Sequence, residues 1–153
     1  MKVFRVVPSP RAEDLSGEGA RRYGGRWNSK GVPLIYAATS ASLAVLETLA
    51  HISLDVFPEN LVMVTLEVPE TSVQSLDKDQ LNENWASYPA SSEVNEIGDA
   101  WVKEEKTLGL LVPSAILPQE NNLLINPRHP QAGKVKIVDI TPYRVDQRLL
   151  KKQ

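Results

Sequence analysis

The sequence predicts a single domain of the α+β class. Its 153 residues fit one domain, because domains commonly contain roughly 100–200 residues. Hydrophobic residues make up 42% of the chain and charged residues 24%, as in ordinary soluble globular proteins. Strand and helix patterns follow each other without the regular strand–helix–strand alternation of a doubly wound sheet, and this favours the α+β class.

Five segments have the patterns of β-strands. Apolar and β-branched residues dominate residues 2–7, 34–38, 60–68, 110–116 and 134–140. The clearest is the third, because it is rich in β-branched residues and Pro69 closes it.

Three segments have the patterns of helices. The first begins after a capping residue, Thr39 or Ser40, and ends at about His51. The second spans residues 92–106 and places its apolar residues on one face. The third spans residues 142–150 and has a proline in its first turn.

The remaining long segments are predicted to be irregular. Residues 9–25 are rich in glycine, arginine and serine and lack periodicity, which indicates a long loop. Residues 76–89 are also irregular, and no internal repeat is present.

Composition excludes several classes of site. The chain has no cysteine, so it has no disulfide framework, thiol nucleophile or cysteine metal site. Its two histidines, His51 and His129, are far apart in sequence, so we expect no histidine-built zinc site and no metal. No apolar run approaches the ~20 residues that span a bilayer, and the first residues lack a signal-peptide core. We therefore expect a cytoplasmic protein without membrane contact.

Charge is segregated along the chain. Residues 1–31 carry a net charge of +4, residues 32–125 carry −11 and residues 126–153 carry +5. Either these are solvated faces, or the two basic ends meet around an anionic ligand. Nucleic acid is a weaker candidate, because the pI is near 5.7 and no aromatic-rich basic motif is present.

Two arginines are candidates for anion binding. Arg5 lies within an apolar strand, so it is either an edge residue with its head in water or an arginine held at the bottom of a pocket. Arg26 follows Gly24 and Gly25, and glycine permits a backbone to approach a bulky polar ligand closely. Its guanidinium can bind phosphate or carboxylate through two parallel hydrogen bonds. By residue type alone, the two glycines also fit an ordinary turn.

Glu47 lies at the edge of the apolar arc of the first predicted helix, where a carboxylate is half-desolvated. It is either a boundary residue that reaches water or an arginine, or a functional carboxylate. Tyr36 in the preceding strand fits a core tyrosine. Ser114 follows Pro113 in an apolar strand and fits a small buried residue, since no histidine or aspartate is near it in sequence.

Three stretches together resemble the RES-domain family, the toxins of bacterial toxin–antitoxin pairs of the RES/Xre type. They are FRVV near the start, GEGARRYGGRWNSKGVPLIYAATSASLAVLETLAH in the middle and VPSAILPQENNLLINPRHP later. They occur in the family's order and cover most of the chain, whereas residues 76–105 carry no part of the resemblance. The resemblance implies one RES domain over residues 1–153, with a fold similar to the ADP-ribosyltransferase toxins.

The resemblance also implies an activity that consumes NAD⁺ as substrate, without a permanently bound cofactor, by cleaving the nicotinamide–ribose bond. The family's functional residues fall on an arginine of this chain, Glu47 and Ser114. The N-terminal arginine matches Arg5, the GGRW arginine matches Arg26 and the strand tyrosine matches Tyr36.

Physical chemistry is consistent with these implied roles. The two arginines suit the pyrophosphate, with Gly25 permitting close approach, and Glu47 suits the positive charge that develops on the ribose. Tyr36 suits stacking on or orienting the ribose, and Ser114 suits a hydrogen bond to the nicotinamide or ribose.

Three classes of function remain open: NAD⁺ degradation with water or phosphate as acceptor, ADP-ribose transfer onto a protein, and a non-catalytic binding module. The resemblance implies a helix-turn-helix antitoxin that covers the active site, so DNA is contacted only through that partner. It also implies a hetero-oligomer, within which the toxin itself is monomeric or a homodimer.

Overall fold

The β-strands of the chain pair into one sheet. The computed structural model describes residues 1–53, 55 and 57–151. Within these ranges the strands are β1 Lys2–Pro8, β2 Ile35–Ala38, β3 Leu61–Glu67, β4 Val73–Ser75, β5 Gly109–Pro113, β6 Asn121–Ile125 and β7 Lys136–Pro142. The α-helices are α1 Glu18–Tyr23, α2 Ala41–His51 and α3 Ser92–Glu104. None of these helices is long and apolar enough to cross a membrane.

The strands form a mixed sheet in the order β4-β5-β6-β2-β1-β3-β7, in which only β4 and β5 run parallel. The pairing is uneven along this order. β1 pairs with β3 from Lys2 to Pro8 but with β2 only where Phe4 faces Ala38. The sheet therefore opens between β1 and β2 beyond that pair.

Side chains alternate between the two faces of the sheet, and each face has its own cover. On the face that we call the helix face, α2 packs through Leu43 and Ala44 against Ala38, Phe4 and their neighbours. Farther along the same face, α3 packs against Leu110 and its neighbours. The opposite face carries the largest apolar cluster, including Val3, Val64 and Ile125, and irregular segments cover it.

Most predicted elements are confirmed, as is the α+β class. The five predicted strands correspond to β1, β2, β3, β5 and β7, and two predicted helices correspond to α2 and α3. Ser40 is the cap of α2, because its hydroxyl accepts a hydrogen bond from the Leu43 backbone N–H at 3.1 Å.

Other predictions are wrong. The predicted loop 9–25 contains α1, a six-residue helix with a glycine at its N-cap, which is too short for periodicity to indicate. Strands β4 and β6 were not predicted. The predicted helix 142–150 is wrong because Pro142 ends the edge strand β7, where its missing N–H is tolerated. Only Gln147–Leu150 are helical, as a 3₁₀ turn.

Candidate active site

Glu47 is carried to the helix face by α2. Leu43 and Ala44, one turn earlier, are buried against the sheet. Glu47, one turn later, lies at the edge of the contact between α2 and the sheet, and its side chain is 22% exposed. Its position at the edge of the apolar arc of the helix agrees with the sequence analysis, and both interpretations of Glu47 given there are compatible with it.

The Glu47 carboxylate is anchored through one oxygen. Its Oε1 accepts hydrogen bonds from the Ser114 hydroxyl and from Nδ2 of Asn122, each at 2.7 Å. Its Oε2 lies 3.7 Å from Nε2 of His51, four residues later on α2. Burial raises the pKa of Glu47, but the interactions with His51, Asn122 and Ser114 outweigh burial and leave the pKa below its usual value. Glu47 is therefore an ionised carboxylate. We call Glu47, Ser114, Asn122 and His51 the glutamate cluster.

Ser114 is fully buried, and its hydroxyl has no capacity left for a ligand. It donates to Glu47 and accepts from the backbone N–H groups of Ile116 at 3.2 Å and Leu117 at 3.1 Å. A hydroxyl has one proton and two lone pairs, so all three are used. Ser114 therefore contacts Glu47 directly and is committed to holding it.

Tyr36 supports the backbone that carries Arg26. Its hydroxyl donates to Oδ1 of Asn28 at 2.6 Å and accepts from the Trp27 backbone N–H at 3.0 Å. Burial raises its pKa, so the phenol is neutral at physiological pH. Its position agrees with the core tyrosine considered from sequence.

Residues 24–31, which we call the arginine loop, are held by buried polar groups. Asn28 is 1% exposed, and its Nδ2 donates to the carbonyls of Ala20, Ser29 and Val32. At Gly25, a Cβ atom would lie 2.5 Å from the Tyr36 hydroxyl oxygen. Only glycine fits at this position, because any other residue would place its side chain against the Tyr36 hydroxyl. The loop backbone therefore packs directly on Tyr36.

Helix α3 holds the same loop from outside. Nδ2 of Asn95 donates to the carbonyls of Gly25 and Arg26, each at 2.7 Å. A Cβ atom at Gly98 would lie 1.7 Å from the Trp27 carbonyl oxygen, so α3 approaches the loop backbone directly at this glycine. The arginine loop is therefore fixed on two sides.

Arg26 projects from this rigid loop and is half-buried. Its Nη1 donates to the carbonyls of Trp85 at 3.0 Å and Ser87 at 2.8 Å. Among the described residues no carboxylate forms an ion pair with it. Its positive charge is consequently satisfied only by neutral carbonyl oxygens, which an anion can replace.

The glutamate cluster and the arginine loop are neighbours on the helix face. Asn122 pairs with Ala38, and Leu124 pairs with Tyr36, so Asn122 and Tyr36 lie one diagonal step apart on adjacent strands. Two residues along a strand span about 7 Å.

A cavity of about 380 Å³ is lined by a residue that bonds to Arg26 and by the residue that precedes Ser114. Trp85 and Pro113 line it, together with Lys78, Leu81, Asn82, Glu83 and Pro118. Trp85 supplies a carbonyl to Arg26, and Pro113 precedes Ser114. A second cavity of similar volume lies against α3 and is lined by Glu93, Glu96 and Glu104, which would repel an anionic ligand.

Arg5 lies on the face of β1 that is opposite to the helix face. It pairs with Val64 of the opposite-face cluster, whereas its neighbour Phe4 pairs with Ala38. Its Nη1 donates to the Asp14 carbonyl at 3.2 Å, and burial lowers the pKa of its guanidinium. Arg5 therefore lies on the other face of β1 from Phe4, because neighbouring strand residues alternate. That both arginines converge on one pocket stays a prediction.

Sequence reasoning missed Asn122, Asn28 and the proximity of His51 to Glu47. Asparagine is depleted in strands, so Asn122 within an apolar run was a usable signal. His51 stands four residues after Glu47, the spacing at which helix side chains meet. Within the described ranges, no three histidine, aspartate or glutamate side chains are grouped to hold a metal ion.

Comparisons with known proteins give the chain its family. The RES domain family model matches residues 2–146. The Prs ADP-ribosylating toxin of Sphingobium sp. is 41% identical over 144 residues, 92% of this chain and 89% of that protein. Toxin Res of Photorhabdus laumondii is 39% identical over 156 residues, 99% and 98% of the two chains. The solved M. tuberculosis MbcT–MbcA toxin–antitoxin complex contains a chain that matches with a TM-score of 0.73 and 25% identity, over 93% of this chain and 83% of that one. The chain belongs to the RES domain family of toxins.

Proposed function

We propose that this protein is a toxin that degrades NAD⁺ by cleaving its nicotinamide–ribose bond, with water or phosphate as acceptor, so that NAD⁺ depletion arrests growth. The observation that carries the proposal is the anchored, ionised carboxylate of Glu47 on the same sheet face as Arg26. The name of the Sphingobium relative supports it, because ADP-ribosylation uses NAD⁺ as the donor.

Glu47 supplies the electrostatic part of the reaction. As the bond between the anomeric carbon and the nicotinamide nitrogen breaks, its electron pair leaves with nicotinamide, and positive charge develops on the ribose. A fixed carboxylate at that point stabilises the charge without reorganising. Nicotinamide leaves as a neutral molecule, so no general acid is required. The acceptor oxygen then bonds to the anomeric carbon and releases its proton to solvent.

Arg26 binds the pyrophosphate in this proposal. Charge-assisted hydrogen bonds to phosphate are stronger than those to neutral carbonyls, so the ligand can displace Trp85 and Ser87 from the guanidinium. Gly25 leaves the backbone beside Arg26 without a side chain that would obstruct the approach. Arg5 reaches the same ligand only if the ligand enters the opening between β1 and β2, which both faces of the sheet border.

Tyr36 and Ser114 contribute by positioning. The Tyr36 hydroxyl is bonded to Asn28 and Trp27, and the Ser114 hydroxyl to Glu47. Tyr36 fixes the arginine loop, and Ser114 fixes the carboxylate of Glu47.

A second candidate function is transfer of ADP-ribose to a protein, and the name of the Sphingobium relative, an ADP-ribosylating toxin, favours it. The donor site is the same, and only the acceptor differs. A non-catalytic binding module is a poorer fit, because all five residues that match the family's functional positions are retained: Arg5, Arg26, Tyr36, Glu47 and Ser114.

We propose an antitoxin with a helix-turn-helix part as the partner. The neighbouring solved structure is a toxin–antitoxin complex, and a free NAD⁺-consuming enzyme would harm its host. The resting form would then be a cytoplasmic hetero-oligomer, and contact with DNA would run through the antitoxin.

The test is incubation of the purified protein with NAD⁺, with and without phosphate and with and without cell lysate, followed by mass spectrometry. Free ADP-ribose or its phosphorylated form supports NAD⁺ degradation, whereas a protein mass increase selects ADP-ribosyl transfer. Unchanged NAD⁺ in every arm overturns both. Glu47→Gln is the inactive control, because it keeps the shape of the side chain and removes its charge.

A further inference from the structure

Asn122 and Ser114 bind the same oxygen of Glu47. The two donors approach Oε1, each at 2.7 Å. A carboxylate has no proton to donate, so the amide nitrogen of Asn122 faces it. Oε2 makes neither contact and lies 3.7 Å from the exposed imidazole of His51. The two carboxylate oxygens are therefore unequal: one is anchored in the protein and the other faces outward.

The anchor has a rigid base. Asn122 lies in β6, paired with Ala38 of β2 on one side and Val112 of β5 on the other. Ser114 is buried and accepts two backbone N–H groups of the following turn. The backbone of Asn122 and the hydroxyl of Ser114 are therefore held in place by contacts independent of Glu47.

The charged or titratable groups near the carboxylate contact other atoms than Oε1: His51 lies 3.7 Å from Oε2. His51 belongs to α2, and Glu120, just before β6, accepts from the Ser40 hydroxyl at the start of the same helix. The side chains packed with α2 from β1, β3 and the turn after β5 are apolar: Phe4, Val6, Met63 and Leu117. The two neutral donors therefore fix the orientation of the carboxylate.

We infer that Asn122 is a positioning residue that, with Ser114, anchors Oε1 of Glu47 and presents Oε2 to the reacting ribose. This inference rests on the proposed function. Asn122 acts through Glu47, so its loss is expected to weaken the chemical step more than the binding of NAD⁺.

The test compares Asn122→Leu with Asn121→Leu. The two positions are adjacent, but Asn121 faces the other side of β6, and its side chain makes no hydrogen bond among the described residues. Leucine is close to asparagine in size and cannot donate. Two quantities are measured: kcat and KM for NAD⁺, and the pKa of Glu47 by NMR titration of its side-chain carboxyl carbon.

In Asn122→Leu we expect kcat to fall by about 10–100-fold, as for loss of a hydrogen bond to a charged group, with a smaller change in KM. The pKa of Glu47 is expected to rise, and Asn121→Leu to leave both quantities unchanged. Equal kcat and equal Glu47 pKa in the two variants would overturn the inference. If the wild type does not consume NAD⁺, the proposed function fails, while the NMR titration still decides whether Asn122 anchors Glu47.

Asn122→Asp guards against misfolding of the leucine variant. It keeps the size and polarity of the side chain but places a second carboxylate beside Oε1. We expect the pKa of Glu47 to rise in this variant too, in a protein whose amide spectrum is that of the native fold. An unshifted Glu47 pKa in folded Asn122→Asp would contradict the anchor.

Discussion

At the scale of single residues, the state of Glu47 decides its chemistry. Burial alone would favour the protonated acid, which suits a proton donor. The contacts from His51, Asn122 and Ser114 reverse that effect and keep the pKa below its usual value. Glu47 is thus suited to stabilise positive charge, which agrees with a leaving group that needs no proton.

Replacing Glu47 by glutamine should separate catalysis from binding. The charge acts mainly on the transition state, so kcat for nicotinamide release should fall about 10²–10³-fold, with little change in NAD⁺ affinity by calorimetry. Glu120→Gln is the matched control, because Glu120 interacts with the N-terminal end of the same helix. A folded Glu47→Gln protein with normal kcat would remove Glu47 from the mechanism.

The pH dependence of kcat/KM, which reports the free enzyme, should follow Glu47. Because the pKa of the folded protein is depressed, the active carboxylate persists below the ordinary glutamate value of about 4.3 and is lost only at lower pH. His51→Gln removes an interaction that lowers this pKa, so the acid limb should move to higher pH. Circular dichroism at each pH checks that the fold is intact. An unmoved acid limb would show that His51 does not tune Glu47.

Arg26→Ala should weaken NAD⁺ binding as well as the rate, since the pyrophosphate charge is the same in the ground and transition states. We expect an affinity loss of about 10–100-fold and a smaller dependence of affinity on salt. Arg22→Ala is the control, because Arg22 is exposed and paired with Glu18. The affinity of Arg5→Ala for NAD⁺, measured in the same way, tells whether the ligand reaches the opening between β1 and β2. An unchanged NAD⁺ affinity of Arg5→Ala would confine the site to the helix face.

At the scale of elements, the arginine loop depends on how closely α3 can approach it. Gly98 of α3 is in contact with the Trp27 backbone, and Asn95 bonds to the loop three residues earlier. Loop and helix therefore form one packed unit that determines where Arg26 points.

Gly98→Ala should disrupt this unit, because its Cβ atom would overlap the Trp27 carbonyl. We expect a loss of about 1–3 kcal/mol in the free energy of unfolding, measured by urea denaturation, together with weaker NAD⁺ binding. Gly133→Ala is the control, because a Cβ atom there meets nothing within 4 Å. Equal free energies of unfolding of the two variants would show that α3 can move away from the arginine loop without loss of stability.

The elements predicted from sequence were those with local causes. The helix α2 has a capping serine and an apolar arc, so both its start and the boundary position of Glu47 followed from the sequence. Strand β4 has three residues and exists through pairing with β5, which no local pattern encodes. The contact between Asn122 and Glu47 joins residues 75 positions apart and required the sheet order.

At the scale of the whole molecule, the sheet separates two kinds of surface. The helix face carries the glutamate cluster and the arginine loop, while the opposite face carries the main apolar cluster and Arg5. β1 and β2 share a single residue pair, Phe4 with Ala38, so the ladder between them is the shortest in the sheet. That the two basic ends of the chain meet around one anionic ligand stays a prediction.

Expression of the chain without a partner should arrest bacterial growth and lower cellular NAD⁺. An enzyme with an ordinary turnover of about 10 s⁻¹ acts on many substrate molecules, so a small amount of unrestrained protein suffices. Growth rate and NAD⁺ content are measured after induction, with Glu47→Gln as the control that should restore both. Arrest with nearly normal NAD⁺ and a mass increase on a cellular protein would select ADP-ribosyl transfer instead. Normal growth with undiminished NAD⁺, despite folded protein in the cell, would favour the binding module, because the anchored carboxylate would then have no reaction to serve.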